Sequence, residues 1–201
     1  MNKSWKETLI VLILKVSNPS TPSNYRPINL CNTIYKIAAK VFVNMMYSII
    51  PKLISKEQAV FILGRSLYDH ALLAQDIFHK FRYSKSCKGL VSFKIDMEKA
   101  YDSMDWQTLN KVLNTCGFPT CFSNLIMECI CDPCFTLLIN GNQTTRIEAR
   151  RGFRQGCPLS PFLYFLCSQL LSNVLKRTDN IGIQVSSHGP KISHLLYADD
   201  I

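Results

Sequence analysis

The sequence predicts an α+β domain, and three observations support that fold class. Apolar residues make up 47% of the 201 residues and charged residues 18%, so the chain can bury a hydrophobic core. Some segments alternate apolar and polar residues with a period of two, as half-buried strands do, and others carry an apolar stripe at helical spacing. Strand and helix patterns are mixed along the chain without an internal repeat, which is typical of an α+β fold.

The first third of the chain predicts a strand, a loop and then helices. Residues 9–14 are an apolar run of strand length, and the turn-rich stretch from Pro19 to Asn24 predicts an exposed loop. Helical spacing predicts amphipathic helices over 34–45 and 74–81. The apolar stripe of the first of these helices consists of Ile34, Ile37, Ala38, Val41, Phe42 and Met45.

At residue 90 the hydrophobic period changes to two. Val91, Phe93 and Ile95 then share one face and alternate with polar residues, which predicts a half-buried strand. Asp96 closes the polar face of this strand.

Two helices and a hairpin are predicted next. The helices cover 109–116, with Asp105 as the N-cap, and 122–130. Asn140 and Gly141 stand between two strand-like runs and predict a type I′ turn.

The last part of the chain predicts a buried helix and two strands. Pro158 and Pro161 stand where a helix over 163–174 begins, and its apolar face is broad. Strands are predicted over 181–185 and 192–197, and the chain ends just after turn residues at 198–200.

The composition also restricts the class of partner and the compartment. The 23 Lys and Arg exceed the 14 Asp and Glu, giving a net charge of +9, which favours a polyanionic ligand such as nucleic acid over a charge that serves only solubility. No segment has the length of a bilayer span, and no signal peptide is recognisable. The nine cysteines are odd in number and are interpreted as reduced thiols of an intracellular protein.

A cysteine cluster raises the alternative of a structural zinc site. Its members are Cys116, Cys121, Cys129, Cys131 and Cys134. We favour buried thiols that act as small hydrophobic side chains, because two of these cysteines fall on apolar helix faces and no compact pair of histidines accompanies them.

Three carboxylates follow predicted strands and suggest metal chemistry. Asp96 ends one strand, and Asp199 and Asp200 end another. Adjacent carboxylates repel each other unless a cation or a basic group lies beside them, and their hard oxygens suit Mg²⁺. Two such ions can promote an in-line phosphoryl transfer. The alternative is a polar turn together with a helix cap.

Six segments, in this order, resemble the reverse transcriptase domain of non-LTR, LINE-type retrotransposons, in a plant-like and truncated form. They are 24–30 (NYRPINL), 58–65 (QAVFILGR), 94–102 (KIDMEKAYD), 138–141 (LING), 151–161 (RGFRQGCPLSP) and 197–200 (YADD). The resemblance implies a right-hand polymerase fold with fingers and palm but no thumb. Residues 1–90 would be fingers-like, with the N-terminal strand and helices, and residues 91–201 would be palm-like and end after the YADD turn.

The resemblance also implies roles for individual residues. Asp96, Asp199 and Asp200 would be the catalytic carboxylates and would hold two Mg²⁺ ions, with Mn²⁺ as an alternative. Tyr101 would be the steric gate that excludes a 2′-hydroxyl, its alternative being a core aromatic. The other implied nucleotide-binding residues are Lys15, Arg26, Gln155 and Gly156, and the implied nucleic-acid-binding residues are Arg151 and Arg154. The alternative interpretation of Lys15 is a charge that ends a strand. The alternative interpretation of Arg151 and Arg154 is that they belong to a solvated basic loop.

The function implied by the resemblance is that of an RNA-directed DNA polymerase. Its partners would be an RNA template, a DNA primer and deoxynucleoside triphosphates, with no membrane and with nuclear localisation. We expect the fragment to be impaired. One alternative is an inactive, retroelement-derived remnant that binds nucleic acid, and a weaker one is a metal-dependent nuclease.

Overall fold

The computed structural model describes residues 1–84, 89–186, 189–198 and 200, and it confirms the α+β fold class. The strands in chain order are β1 (Glu7–Leu14), β2 (Tyr25–Cys31), β3 (Cys134–Ile139), β4 (Asn142–Gln143), β5 (Ile147–Glu148), β6 (Ile183–Gln184) and β7 (Lys191–Ile192). The helices are α1 (Thr33–Met46), α2 (Ile50–Leu53), α3 (Leu67–Tyr83), α4 (Trp106–Thr115), α5 (Thr120–Ile130) and α6 (Ser160–Arg177).

Two compact units are built from interleaved parts of the chain. Unit 1 contains Met1–Met46 and Tyr101–Tyr164, and unit 2 contains Tyr47–Ala100 and Phe165–Ile201. Each unit therefore draws on both of the predicted regions, 1–90 and 91–201. The assignment of those regions to fingers and palm stays a prediction.

The sheet of unit 1 has the strand order β2-β1-β3-β4, and β5 also pairs with β3. β1 is antiparallel to β2 and parallel to β3. β1 begins two residues before the predicted strand and ends with it at Leu14. β2, which was not predicted from the sequence, contains Pro27, a residue without the N–H that an interior strand needs. β2 lies at the edge of the sheet, where a proline is tolerated.

The helix α1 forms as predicted, but the predicted buried face is wrong. The buried side chains are Tyr35, Ala39, Val43 and Met46. Most of the predicted stripe is exposed instead, with Ile37 at 61% and Met45 at 55%. α1 is apolar on more than one face, so spacing alone does not decide which face is buried. The Tyr35 hydroxyl, 3.3 Å from the Cys157 sulfur, belongs to the face that packs inward.

The central helices and the hairpin of unit 1 confirm the sequence prediction. Asp105 is the N-cap of α4, and its carboxylate accepts a 2.8 Å hydrogen bond from the backbone N–H of Thr108. This bond lowers the pKa of the Asp105 carboxyl. Asn140 and Gly141 have φ angles of 49° and 81°, as a type I′ turn between β3 and β4 requires.

The helix α6 is also confirmed, but its predicted apolar face is buried only over the first half, and Leu170, Leu171 and Val174 are exposed. Leu163, Tyr164 and Phe165 have no exposed surface, and Pro161 lies in its first turn, where a missing N–H costs little. None of the helices in the described part of the chain is long and apolar enough to cross a bilayer.

The strands predicted in unit 2 are wrong or shorter than predicted. β6 and β7 pair with each other but contain two residues each. The predicted strand over 91–95 does not form, and Val91 and Phe93 are 76% and 78% exposed. A strand needs a hydrogen-bonded neighbour, and in the described part of this segment only Asp96 has a bridge partner.

Candidate active site

The turn at residues 197–200 is tightly closed by its backbone. Tyr197 and Asp200 exchange two backbone hydrogen bonds, of 2.9 and 3.0 Å. Ala198 has a φ of 55°, in the left-handed region that residues with a Cβ seldom adopt. Asp199 lies outside the described residues. The two bonds therefore hold the backbone of Asp200 against that of Tyr197, and the strained Ala198 directly follows Tyr197.

Two of the three predicted catalytic carboxylates come together in unit 2. Asp96 and Asp200 form an antiparallel β-bridge. Residues directly opposite each other in such a bridge point to the same face, with their Cβ atoms about 4.5–5.5 Å apart. This spacing allows both carboxylates to reach one cation.

Lys94 supplies a positive charge beside this pair. Its Nζ lies 3.4 Å from Oδ1 of Asp200, and the two side chains are 80% and 39% exposed. An ion pair this open to solvent contributes at most about 1 kcal/mol. The lysine offsets part of the repulsion between the two carboxylates.

The donor set fits a hard divalent cation such as Mg²⁺. Both aspartates offer hard oxygen atoms and remain accessible to solvent. Asp200 already attracts a cationic group, as shown by Lys94. Across the described residues, no group of three or more His, Cys, Asp or Glu side chains converges, and Asp199 is not among those residues.

Of the five cysteines of the predicted cluster, Cys129 is buried, three are partly buried, and Cys121 is exposed. Burial raises the pKa of Cys129 to about 11, and it also raises the pKa of Cys116 and of Cys131. This burial agrees with the interpretation of Cys129 as a small hydrophobic side chain.

Lys15 and Arg26 share one face of the β1–β2 pair in unit 1. Arg26 lies opposite Ile13 in the register, and the backbone N–H of Lys15 donates to the carbonyl of Asn24 over 2.8 Å. Lys15 and Arg26 are therefore diagonal neighbours, about 7–8 Å apart. Both side chains are exposed, and the Lys15 ammonium reaches the Ser23 carbonyl at 3.1 Å.

The loop over 151–157 packs against two other predicted motifs within unit 1. A Cβ on Gly156 would lie 3.2 Å from the carbonyl oxygen of Asn29 in β2, so glycine permits this close approach. The Gln155 amide donates weakly to the Asp102 carboxylate, at 3.4 and 3.5 Å. Three sequence motifs thus meet in one place.

Arg151 and Arg154 have different surroundings. Arg151 is exposed, as a contact with phosphate requires. Arg154 is only 2% exposed, and its guanidinium lies 4.2 Å from the centre of the Tyr35 ring. It donates to the carbonyls of Cys129 and Lys6 over 3.3 and 3.4 Å. The prediction that Arg154 contacts nucleic acid therefore needs correction, because this side chain holds the interior of unit 1 together.

Tyr101 is half-buried and packs against the core. Its ring stacks on that of Tyr164 at a centroid distance of 4.9 Å. The face of the Tyr101 ring that stacks on Tyr164 therefore agrees with the alternative interpretation, that of a core aromatic residue. The role of steric gate stays a prediction.

Sequence reasoning missed the structural roles of Gln58 and Arg65. Gln58 is 1% exposed, and the Arg65 guanidinium donates to four backbone carbonyls, those of Pro51, Ile54, Ser55 and Gln58. The sequence feature that could have indicated these roles is the position of the two polar residues, one at each end of the otherwise apolar segment QAVFILGR.

Comparisons with known proteins agree with the motifs. The sequence model of the family described as "Reverse transcriptase (RNA-dependent DNA polymerase)" matches residues 13–201. The "Transposon TX1 uncharacterized 149 kDa protein" of Xenopus laevis is 28% identical over 198 residues, which are 98% of this chain and 15% of that protein. A "Retrovirus-related Pol polyprotein from type-1 retrotransposable element R2" of Popillia japonica is also 28% identical, over 98% of this chain and 27% of that protein. This chain thus spans less than a third of either relative.

A solved structure shares the fold. It is described as "Structure of apo telomerase from Candida Tropicalis truncated from C-terminal domain", and it is 11% identical with a TM-score of 0.54, over 99% of this chain and 43% of that chain. Such a low identity supports similarity of fold alone. The family match over most of the chain and the retrotransposon relatives confirm the resemblance that the motifs predicted. The chain belongs to the reverse transcriptase (RNA-dependent DNA polymerase) family.

Proposed function

We propose that this chain is part of an RNA-directed DNA polymerase that adds deoxynucleotides to the 3′-hydroxyl of a primer. The observation that carries the proposal is the pairing of Asp96 with Asp200, which places two carboxylates on one face. Reverse transcriptases use divalent metal ions, nucleic acid and nucleotide substrates. For this chain we specify an RNA template, a DNA primer and Mg²⁺, and we expect it to act in the nucleus.

The carboxylates of Asp96, Asp199 and Asp200 hold the catalytic ions. Two bound Mg²⁺ ions would supply activation of the primer hydroxyl and neutralisation of the charge on the triphosphate. The protein's own contribution is to fix the carboxylates before substrate arrives, since a preorganised site needs no rearrangement during the reaction. The two backbone hydrogen bonds between Tyr197 and Asp200 support this role, because they hold the backbone that carries the Asp200 carboxylate.

The residues of unit 1 bind the nucleotide and the template. Lys15 and Arg26 are exposed cations on one face of β1 and β2, and they pair with the triphosphate, Arg26 through its fork of N–H donors. Gln155 and Gly156 lie against the templating base pair, and Tyr101 limits the space beside the sugar. Arg151, which is exposed, binds a backbone phosphate.

Extension of a DNA primer on an RNA template tests this proposal. We expect product with the wild-type chain and Mg²⁺, and a rate lower by about 10²-fold or more in Asp96→Ala and in Asp199→Ala. The matched control is Asp76→Ala, which removes an exposed carboxylate from α3 and is expected to leave the rate unchanged.

Because the fragment is expected to be impaired, two results would overturn the proposal: product that forms equally in the wild-type chain and in the Asp96 and Asp199 variants, or a wild-type chain that makes no product even at high concentrations of protein and Mg²⁺. If that chain still bound RNA in a salt-sensitive manner, the result would support an inactive nucleic-acid-binding remnant. Equal loss of product in Asp76→Ala would show that the aspartate variants act through folding.

A further inference from the structure

The side chain of Gln58 contacts the turn that carries Asp200. Its Oε1 accepts a 3.3 Å hydrogen bond from the backbone N–H of Ala198, and a second one from Val60, also of 3.3 Å. Gln58 is 1% exposed, and its Nε2 has no hydrogen-bond partner in the described structure. A buried donor without a partner raises the free energy of the folded state. The Gln58 side chain therefore contributes to the structure through the two hydrogen bonds that its oxygen accepts.

The backbone around Gln58 pairs with the segment leading into the turn. Leu196 donates its N–H to the carbonyl of Glu57 over 2.7 Å, and Ala59 donates to the carbonyl of Leu196 over 3.3 Å. Gln58 and Leu196 thereby form a parallel β-bridge. This pairing sets the register that brings the Gln58 oxygen to the amide of Ala198.

Arg65 fixes the other side of this arrangement. Its guanidinium donates to the Gln58 carbonyl over 2.6 Å and to the Ser55 and Ile54 carbonyls over 2.5 and 2.6 Å. Arginine presents its donors in a rigid planar fork, which suits several carbonyls at once. The two polar ends of the segment 58–65 are thus joined to each other within unit 2.

We propose that Gln58 is a positioning residue that holds Ala198 in its left-handed conformation and so keeps Asp200 opposite Asp96. The strained φ of Ala198, 55°, persists only where its surroundings enforce it. The Gln58 oxygen supplies that support by satisfying the N–H of the strained residue. The contact between Gln58 and Ala198 is a feature of the fold. Only its effect on catalysis rests on the proposed function.

Amide hydrogen exchange and Mn²⁺ binding together test the proposal. Gln58→Met keeps the length of the side chain but removes the acceptor, and we expect the Ala198 amide to exchange about five- to tenfold faster. We also expect a higher Mn²⁺ concentration for half-saturation, measured by electron paramagnetic resonance. Gln58→Glu retains an acceptor oxygen and is expected to restore slow exchange.

The matched control is Gln169→Met. The Gln169 Oε1 accepts from the backbone N–H of Ser55 over 2.9 Å, so this change removes an acceptor of the same kind from the same unit without touching the turn. If Gln58→Met does not fold, Gln58→Asn shortens the side chain and withdraws the oxygen from Ala198 instead.

Two results would overturn the inference. One is unchanged exchange at Ala198 in Gln58→Met and Gln58→Asn, and the other is an equal change in Gln169→Met. A wild-type chain that binds no Mn²⁺ would overturn the proposed function instead, while the exchange rates would still decide whether Gln58 holds the turn.

Discussion

Arg151 and Arg154 show how two identical side chains in one loop acquire different roles. Arg151 is exposed, while Arg154 lies in the interior against the Tyr35 ring. A buried guanidinium is stable only when its surroundings replace the lost water, here through backbone carbonyls and an aromatic face. The sequence identifies the motif that contains both arginines. It does not predict which of them is exposed and which is buried.

We expect Arg154→Ala to lower the free energy of unfolding by about 2–4 kcal/mol, because it opens a cavity and strips two carbonyls of their donor. Arg151→Ala is expected to change it by less than about 0.5 kcal/mol. Urea unfolding of both variants measures the difference. Equal stability of the two variants would contradict the structural role of Arg154.

Gly152 allows a second test at the residue scale. Its φ is 93°, and a Cβ there would lie 2.8 Å from the carbonyl oxygen of Asp102. Gly152→Ala therefore adds a steric clash to backbone strain, and we expect a loss of about 2–3 kcal/mol in the free energy of unfolding.

Gly117 is the matched control for that change. It has a φ of 80°, but nothing lies within 4 Å of an added Cβ. Gly117→Ala should lose only the strain, about 1 kcal/mol. Thermal unfolding of the two variants should differ accordingly, and similar losses would mean that the clash at Gly152 is relieved by a backbone shift.

At the scale of the elements, helices were predicted better than strands. The N-cap Asp105 and the apolar spacing of α4 are local signals, so α4 appears where the sequence predicts it. Residues 91–95 have the period of a strand but no hydrogen-bonded neighbour, and β2 has a neighbour despite Pro27. Strand formation depends on a partner elsewhere in the chain, which a local pattern does not contain.

His194 makes the stability of unit 2 depend on pH. It is buried, with its ring nitrogens 2.8 Å from the hydroxyls of Ser172 and Ser193. Burial lowers the pKa of the imidazole below its usual 6.5, the nearby Lys176 lowers it further, and Glu57 opposes the shift.

We expect the free energy of unfolding to be fully retained above about pH 6.5 and to decline as the pH falls toward the pKa of folded His194, because the unfolded chain binds a proton that the folded chain rejects. Urea unfolding at about pH 7.5 and about pH 5.5 measures this decline. His194→Asn should flatten it, and an equal slope in the variant would assign the effect to another group.

At the scale of the whole molecule, the candidate residues separate into two sets. Unit 2 contains Asp96 and Asp200, and unit 1 contains Lys15, Arg26 and the loop over 151–157. The sequence identified most of these residues because they belong to motifs with fixed spacing. It missed Gln58 and Arg65, because their partners are backbone groups whose positions exist only in the fold.

The net charge of +9 gives a prediction for the whole chain. If several phosphates are neutralised, affinity for single-stranded RNA should fall about tenfold or more between about 50 and about 200 mM salt. Filter binding or fluorescence anisotropy measures the slope. Arg151→Ala should reduce the slope by at most about one unit, and a salt-independent affinity would argue against phosphate contacts.

The parallel pairing of β1 with β3 has a consequence for synthesis on the ribosome. β1 is made before β3, and Glu7 pairs with Cys134, so one side of the β1–β2 pair stays open while the intervening chain is synthesised. An open strand edge is a template for pairing with other chains. Shortened versions that stop before Cys134 lack this partner and should therefore aggregate when translated, and chaperones that shield such an edge should raise the yield of the nascent protein.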